Sequence, residues 1–176
     1  MRFLETPLPG LYVVEIERRV DERGFFARTF CEEELGARGL HARFPQANVS
    51  YNARAGTLRG MHWQAAPHGE VKLVRCTAGA IWDAVVDLRP GPTHLRWFGV
   101  ELTAGSRTQL YIPDGFAHGF LTLADDTEVF YHMGAPYVAE AARGLRWDDP
   151  RIGIRWPAPP AVMSERDRTY PDYVDG

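Results

Sequence analysis

The chain has 176 residues, a formal net charge of −3 at pH 7, 45% hydrophobic residues and 24% charged residues. This length and balance are those of an ordinary globular protein and exclude an intrinsically disordered one. No run of lysine or arginine occurs, so a nucleic-acid partner is not expected, although two or three well-placed cations would suffice for a nucleotide ligand.

The N-terminal part of the chain predicts no targeting segment and little helix. Residues 1–7 have no apolar core behind their charge, which argues against a signal peptide, and no uncharged apolar run of about 18 residues predicts a membrane span. Cys31 and Cys76 belong to no metal-binding pattern and are expected to be reduced thiols. We therefore expect a cytoplasmic protein without a membrane partner. The one convincing helical stretch is residues 32–36.

Short strands of alternating apolar and polar residues, separated by turn residues, dominate the middle of the chain. The predicted strands are residues 71–76, 80–88, 96–102, 109–113, 116–123 and 128–133. This spacing is typical of an all-β sandwich or barrel. The proline-rich tail, residues 157–176, is expected to pack over the barrel as irregular or short helical structure. No repeat or linker divides the chain, so residues 1–176 are predicted to form a single domain.

Several strands carry a polar side chain where it would line the inside of a barrel. Alternate side chains of a small barrel point inward, and a buried polar group without a partner is costly. Any one such residue could face solvent instead, but five of them on several strands argue against a chance arrangement. Together they supply an imidazole, a phenol, an ammonium and a guanidinium, which suit proton transfer beside a carbonyl on a negatively charged substrate. The five are Arg59, His62, Lys72, His118 and Tyr131.

A series of short motifs follows in order along nearly the whole chain, from about Arg19 to Asp172. They are DERGFF at 21–26, QANVS at 46–50, LRGMHWQ at 58–64, KLVR at 72–75, VDLR at 86–89, IPDGFAHGF at 112–120, WDDP at 147–150, IRWP at 154–157 and SERD at 164–167. In this order and spacing they closely resemble the dTDP-4-dehydrorhamnose 3,5-epimerase family. The resemblance implies a cupin jelly-roll barrel with short peripheral helices. It also implies an isomerase without cofactor or metal that forms a homodimer by exchanging N-terminal strands.

The reaction implied by the resemblance is epimerisation at C3, C5 or both in a nucleotide-linked 4-keto-6-deoxy hexose. The C4 ketone acidifies the hydrogens on both neighbouring carbons. Loss of one proton gives an enolate, and reprotonation from the opposite face inverts the centre. In the family pattern His62 matches the base, and Asp167 matches the carboxylate that orients it. Tyr131 matches the acid on the other face, and Lys72 matches the cation near the enolate oxygen.

The resemblance also implies a set of substrate-binding residues. Tyr137 sits where the family stacks an aromatic ring on the nucleobase. Arg23 matches an arginine that reaches the nucleotide diphosphate from the neighbouring subunit. The remaining contacts to the sugar and phosphates are expected from Gln46, Asn48, Arg59, His118 and Arg166.

Three positions depart from the family pattern. Arg28 stands where the best-known members have an acid, and Ala142 stands where they have a glutamate. Both positions are expected to lie around the substrate or nucleotide. Arg166 replaces a lysine, which keeps the positive charge. These exchanges suggest that the protein is a specialised relative of the family, which acts on a different 4-keto sugar, on a different nucleotide or at one carbon only.

Other classes of protein fit the same residues in part. A 3,4-ketoisomerase acting on the same class of substrate also proceeds through an enolate, so only its product distinguishes it. A metal-dependent cupin enzyme needs three or more ligands, and the matching positions offer only His62 and His118. A non-catalytic module that binds sugar nucleotides would not need Asp167, Tyr131 and Lys72 together with His62.

Overall fold

The computed structural model describes residues 1–174 and consists mainly of β-strands and loops. Two short α-helices lie outside the sheets, α1 at Glu32–Gly36 and α2 at Glu165–Arg168, and a 3-10 turn spans Ala139–Ala141. The strands are β1 Arg2–Glu5, β2 Tyr12–Glu15, β3 Arg19–Asp21, β4 Gly24–Phe26, β5 Gln46–Asn52, β6 Thr57–Gln64, β7 Lys72–Ala78, β8 Ala80–Asp87, β9 Trp97–Thr103, β10 Gln109–Ile112, β11 Phe116–Thr122, β12 Thr127–Met133, β13 Ala142–Gly144 and β14 Val162–Met163. Neither helix in this part of the chain has the length and apolar character needed to cross a membrane.

Two six-stranded sheets pack face to face and form the body of the protein. Sheet I has the strand order β1-β2-β10-β7-β12-β5, and sheet II has the order β13-β6-β11-β8-β9 with β14 parallel to β6. Strands β3 and β4 form a separate hairpin. Neighbouring strands are often distant in sequence, as β5 is from β12, which is typical of a jelly roll. The predicted all-β fold with short peripheral helices is confirmed.

The six predicted strands and the predicted helix are found, and each strand end lies within two residues of its predicted position. The described part of the tail is irregular except for β14 and α2, as expected. Residues 175 and 176 of that predicted tail lie outside the described residues. The strands that were not predicted lie mostly in the first 60 residues, where β3 and β4 are exposed on both faces.

The space between the two sheets is apolar at one end and polar at the other. Residues directly opposite each other on antiparallel strands share a face of the sheet. On sheet I, Val129 of β12 lies opposite Cys76 of β7, and both are buried in the apolar core. Farther along the same face, Tyr131 is followed by Met133, which lies opposite Lys72. The inward-facing side chains of β12 therefore lie in the core at Val129 and line an open cleft at Tyr131 and Met133.

The outer face of each sheet is covered by non-strand segments. α1 and its flanking loops cover sheet I, where Leu35 packs with Leu73. The C-terminal segment covers sheet II, where Ile152 packs in a cluster with Met61 of β6. Because this second segment folds back along β6, it carries Asp167 of α2 to the side of the cleft.

A register shift in β6 places Arg59 and His62 on the same wall of the cleft. Residues three apart on a regular strand face opposite sides of the sheet, and a bulge corrects this. The pairing of β6 with β11 shifts at this point. The backbone of Gly60 has φ +135°, and a Cβ there would lie 2.5 Å from the Cα of Gly119. Glycine is therefore needed at position 60.

We expect Gly60→Ala to destabilise the fold by about 1–3 kcal/mol, because the new methyl group combines an unfavourable φ with a steric clash. The free energy of unfolding, measured in urea, tests this. Gly36→Ala in α1 is the control, because no atom lies within 4 Å of its added Cβ. Alanine favours a helix, so this control should be neutral or slightly stabilising. Equal unfolding free energies for wild type and Gly60→Ala would contradict the prediction.

Candidate active site

One cleft at the polar end of the two sheets contains most of the predicted site residues. It consists of two adjoining cavities of about 680 Å³ and 400 Å³. Both cavities are lined by the same four residues, which are His62, Lys72, Tyr131 and Arg166. His62 comes from sheet II, whereas Lys72 and Tyr131 come from sheet I. The cleft therefore brings an imidazole, an ammonium and a phenol together from opposite walls.

His62 and Asp167 form a hydrogen-bonded pair, although 105 residues separate them in sequence. Nε2 of His62 lies 2.6 Å from Oδ1 of Asp167, and the Asp167 side chain is only 6% exposed. Since a carboxylate accepts the proton on Nε2, the lone pair of the neutral ring lies on Nδ1. The His62 side chain is 40% exposed in the cleft. This arrangement suits a base whose orientation is set by a buried carboxylate.

The carboxyl group of Asp167 is held as an anion. Burial would raise its pKa, but hydrogen bonds involving His62, Ser164 and the backbone of Gly60 outweigh burial, so its pKa is lowered. The backbone N–H of Asp167 donates to Oγ of Ser164, which caps α2. The short helix thus fixes both the position and the charge of the group that faces His62.

Tyr131 carries a phenol that stays protonated at neutral pH. Burial raises its pKa, the negative charge of Glu70 raises it further, and the positive charge of Arg59 opposes them. Within residues 1–174 the hydroxyl has no hydrogen-bond partner, so it can form a hydrogen bond with a ligand in the cleft. A protonated phenol on sheet I, facing a cleft with a base on sheet II, is suited to act as an acid.

Lys72 is buried and paired with a residue that the sequence analysis missed. Its Nζ lies 2.9 Å from Oε1 of Glu70, and the two side chains are 8% and 7% exposed. Nζ also lies 3.5 Å from the backbone oxygen of His62. Glu70 precedes Lys72 by two residues, and that spacing places both side chains on one face of an extended chain. This spacing is the signal that could have identified it.

His118 and Arg59 line the larger cavity and are each held by a protein partner. Nε2 of His118 lies 3.0 Å from both carboxylate oxygens of Asp83, which is fully buried. Asp83 was not predicted. Nε of Arg59 donates to Oδ1 of Asn52 at 2.7 Å. Both predicted binding residues are therefore fixed in position at the cleft wall.

The smaller cavity contains four of the residues predicted to bind the substrate. Gln46 and Asn48 of β5 line it, together with Tyr137 and Arg166. The backbone N–H of Tyr137 donates to Oε1 of Gln46 at 2.7 Å, while the Tyr137 ring stays 55% exposed. Arg143 also lines this cavity and was not predicted.

Two predicted binding residues lie away from the cleft of their own chain. Arg23, at the tip of the β3–β4 hairpin, pairs with Asp21 at 2.5 Å. Arg28 follows that hairpin and pairs with Glu34 of α1 at 3.3 Å. Neither lines the cleft. By contrast, Ala142 and Arg166, which also depart from the family pattern, do line the smaller cavity.

The described residues contain no group of three or more His, Cys, Asp or Glu side chains placed to hold a metal ion. His62 and His118 are each paired with a carboxylate instead, namely Asp167 and Asp83. What the cleft brings together is an imidazole, a phenol and an ammonium around one ligand space. The fold and this site are those of a jelly-roll protein whose cleft suits proton transfer.

Comparisons with known proteins identify the family. The family model for dTDP-4-dehydrorhamnose 3,5-epimerase matches residues 5–175. A dTDP-4-dehydrorhamnose 3,5-epimerase from Sinorhizobium fredii is 46% identical over 177 residues, which cover 99% of this chain and 91% of the relative. The chain therefore belongs to the dTDP-4-dehydrorhamnose 3,5-epimerase family. It is a sugar epimerase, hence an isomerase, and the predicted recognition is confirmed.

Solved structures and a more specialised relative add detail. The crystal structure of dTDP-4-dehydrorhamnose 3,5-epimerase from Bacillus anthracis, with TDP and PPi bound, is 39% identical with a TM-score of 0.93. The match covers 98% of this chain and 99% of that one. A dTDP-4-dehydrorhamnose 3-epimerase from Streptomyces niveus is 35% identical over 170 residues, covering 96% of this chain and 82% of the relative. The relatives thus include enzymes named for two centres and enzymes named for a single centre.

Proposed function

We propose that this protein epimerises C3 and C5 of a dTDP-linked 4-keto-6-deoxyglucose without a cofactor. The observation that carries the proposal is the His62–Asp167 pair, which faces the same cleft as Tyr131 and Lys72. The names of the relatives at up to 46% identity support the substrate and the two centres. The TDP bound to the Bacillus anthracis relative supports a thymidine nucleotide.

In the proposed reaction, Nδ1 of His62 takes a proton from the carbon next to the C4 ketone. The electron pair of the broken C–H bond moves into an enolate, whose oxygen is stabilised by the Lys72 ammonium. The Tyr131 hydroxyl then delivers its proton to the opposite face of the same carbon, which inverts the centre. His62 leaves this step protonated and Tyr131 leaves it as a phenolate, and exchange with solvent restores both.

The binding roles proposed for the remaining residues follow their positions. Arg166 and Arg59 bind the phosphates and the sugar, His118 contacts the sugar, and the exposed Tyr137 ring stacks on the base. Gln46 and Asn48 provide further polar contacts at the smaller cavity.

We also propose a homodimer in which Arg23 and Arg28 contribute to the site of the partner. Apolar side chains on the β3–β4 hairpin support this, because Val20 and Phe26 are 77% and 71% exposed. The edge strand β5 likewise exposes Val49. Large exposed apolar residues of this kind are typical of an interface. Sedimentation equilibrium measures the assembly directly.

We further propose that residues 1–176 fold as a single domain and that the protein acts in the cytoplasm. The family model extends over residues 5–175, and the apolar clusters lie between and around the same two sheets. Cys31 and Cys76 form no disulfide, as is usual for proteins of the cytoplasm, which supports the location.

One alternative within this proposal is epimerisation of a single centre. The absence of a glutamate side chain at Ala142, inside the cleft, changes the contacts available to the substrate. The Streptomyces niveus relative is named a 3-epimerase, which supports this alternative.

Incubation in deuterated water tests the proposal. Purified protein is given thymidine- and cytidine-linked 4-keto-6-deoxyglucose, and NMR follows deuterium at C3 and C5. We expect both positions of the thymidine-linked sugar to exchange and to invert. Exchange and inversion at C3 alone would favour the single-centre enzyme. No exchange with either sugar would overturn the function, and a shifted carbonyl would indicate a ketoisomerase.

A further inference from the structure

A buried ion pair beneath the cleft has no role in the reaction as described so far. Glu70 and Lys72 lie 2.9 Å apart with their side chains 7% and 8% exposed. Within residues 1–174, Glu70 is the only carboxylate within ion-pair distance of the Lys72 ammonium. A buried ammonium is costly without an opposite charge. The position of the Lys72 ammonium therefore depends on Glu70.

Only one of the two carboxylate oxygens of Glu70 has a partner within the described chain. Its Oε2 is buried and has no hydrogen-bond partner within the described chain. An unsatisfied buried acceptor costs stability, and a buried ion pair is often no more stabilising than apolar residues of similar size. Glu70 is thus poorly explained as a device for stability. Its place in the lining of the smaller cavity, beside Tyr131 and Lys72, points to a part in function.

We propose that Glu70 is a positioning residue, which fixes the Lys72 ammonium where the enolate oxygen forms. The inference rests on the proposed function and extends it. Lys72 has three N–H groups, and two of them face Oε1 of Glu70 and the backbone oxygen of His62. The third is left for the ligand. A cation held in this way needs no reorganisation when the enolate charge appears.

The charge of Glu70 also acts on Tyr131. Burial raises the Tyr131 pKa, and the Glu70 charge adds to that effect, so the hydroxyl keeps its proton for delivery to the substrate. Besides Glu70, the charged or histidine side chains that line the cleft are Arg59 and His62 on β6, Lys72 on β7, His118 on β11, Arg143 on β13, and Arg166 and Asp167 on α2. Among these described side chains, Arg59 opposes the effect of Glu70 on the Tyr131 pKa. Loss of the Glu70 charge should therefore let Tyr131 lose its proton at lower pH.

Glu70→Gln is the first test, because it keeps the shape and removes the charge. We expect kcat at neutral pH to fall about 10- to 100-fold with little change in KM, as for other misplaced catalytic groups. The basic limb of the kcat–pH profile should move to lower pH. Glu70→Asp keeps the charge but shortens its reach, so kcat should fall while the basic limb stays in place. Unchanged kcat and an unchanged basic limb in Glu70→Gln would overturn the proposal.

A double-mutant cycle separates positioning from a structural role. In a Lys72→Met background, Glu70→Gln should cause no further loss of kcat at neutral pH, because the group it positions is gone and Tyr131 still carries its proton there. Asp87→Asn serves as the structural control, since Asp87 is a buried carboxylate paired with Arg89 at 2.8 Å and lines neither cavity. It should lower the melting temperature without moving the basic limb. Losses that simply add in the double mutant would overturn the role of Glu70.

Solvent exchange in the wild type distinguishes a failure of this inference from a failure of the proposed function. If the wild type incorporated no deuterium into the sugar, both would fall. If the wild type exchanged and inverted normally while Glu70→Gln matched it at every pH, only the role of Glu70 would be wrong.

Discussion

His62→Ala is expected to lower kcat for epimerisation by about 10²- to 10⁴-fold, the usual contribution of a general base. Deuterium incorporation from solvent should be lost together with inversion, because proton removal is the first step for either outcome. KM should change much less, since His62 acts on the reacting carbon rather than on the nucleotide. NMR of the sugar in deuterated water measures both rates in one experiment.

The effect should extend to the partner of His62. Asp167→Asn removes the negative charge 2.6 Å from Nε2. We expect this substitution to lower kcat at least about tenfold. That factor corresponds to about 1.4 kcal/mol less stabilisation of the imidazolium that forms when His62 takes the proton. His68→Ala is the matched control, because His68 is exposed in a loop and lines neither cavity. A His62→Ala protein that kept more than about a tenth of wild-type kcat would rule out His62 as the base.

The strands in the middle of the chain could be predicted from the sequence because local chemistry determines them. Turn residues such as Gly79 and Gly115 separate runs with a clear period of two, and both glycines have positive φ. The hairpin β3–β4 had no such signal. Its residues are exposed on both faces, so burial imposes no alternation on them.

The site depends on features that a local pattern does not contain. Arg59 and His62 face the same cleft only because β6 shifts register near Gly60. A strict alternation would have separated them. The pairing of His62 with Asp167 depends on the path of the C-terminal segment back along β6. Only the resemblance to a family could suggest that pairing from sequence.

The residues missed by the sequence analysis are partners rather than reacting groups. Asp83 and Glu70 are carboxylates that lie beneath His118 and Lys72. A charged residue in a strand is hard to assign when its counter-ion is unknown. The location of Arg23 and Arg28 outside the cleft of their own chain has a different cause. They lie in or beside a hairpin that is separate from the two sheets, and their proposed role needs a second subunit.

Tyr131→Phe is expected to separate proton exchange from inversion. The substitution keeps the ring that packs against the apolar core and removes only the hydroxyl. Within residues 1–174 that hydroxyl has no hydrogen-bond partner, so the fold should lose little stability. Inversion should fall about 10²- to 10⁴-fold, because no acid remains on the second face of the sugar. Tyr12→Phe, in the packing between Phe3 and Tyr111, is the matched control.

Exchange without inversion should survive in Tyr131→Phe because His62 is still present. After the His62 imidazole has taken the proton, it can exchange that proton with solvent, because the His62 side chain is 40% exposed. It then returns deuterium to the face from which the proton came, which regenerates the original configuration. We therefore expect deuterated starting sugar to accumulate faster than epimer. If exchange and inversion instead declined by the same factor, Tyr131 would be needed to form the enolate, and its assignment as the acid that completes inversion would be wrong.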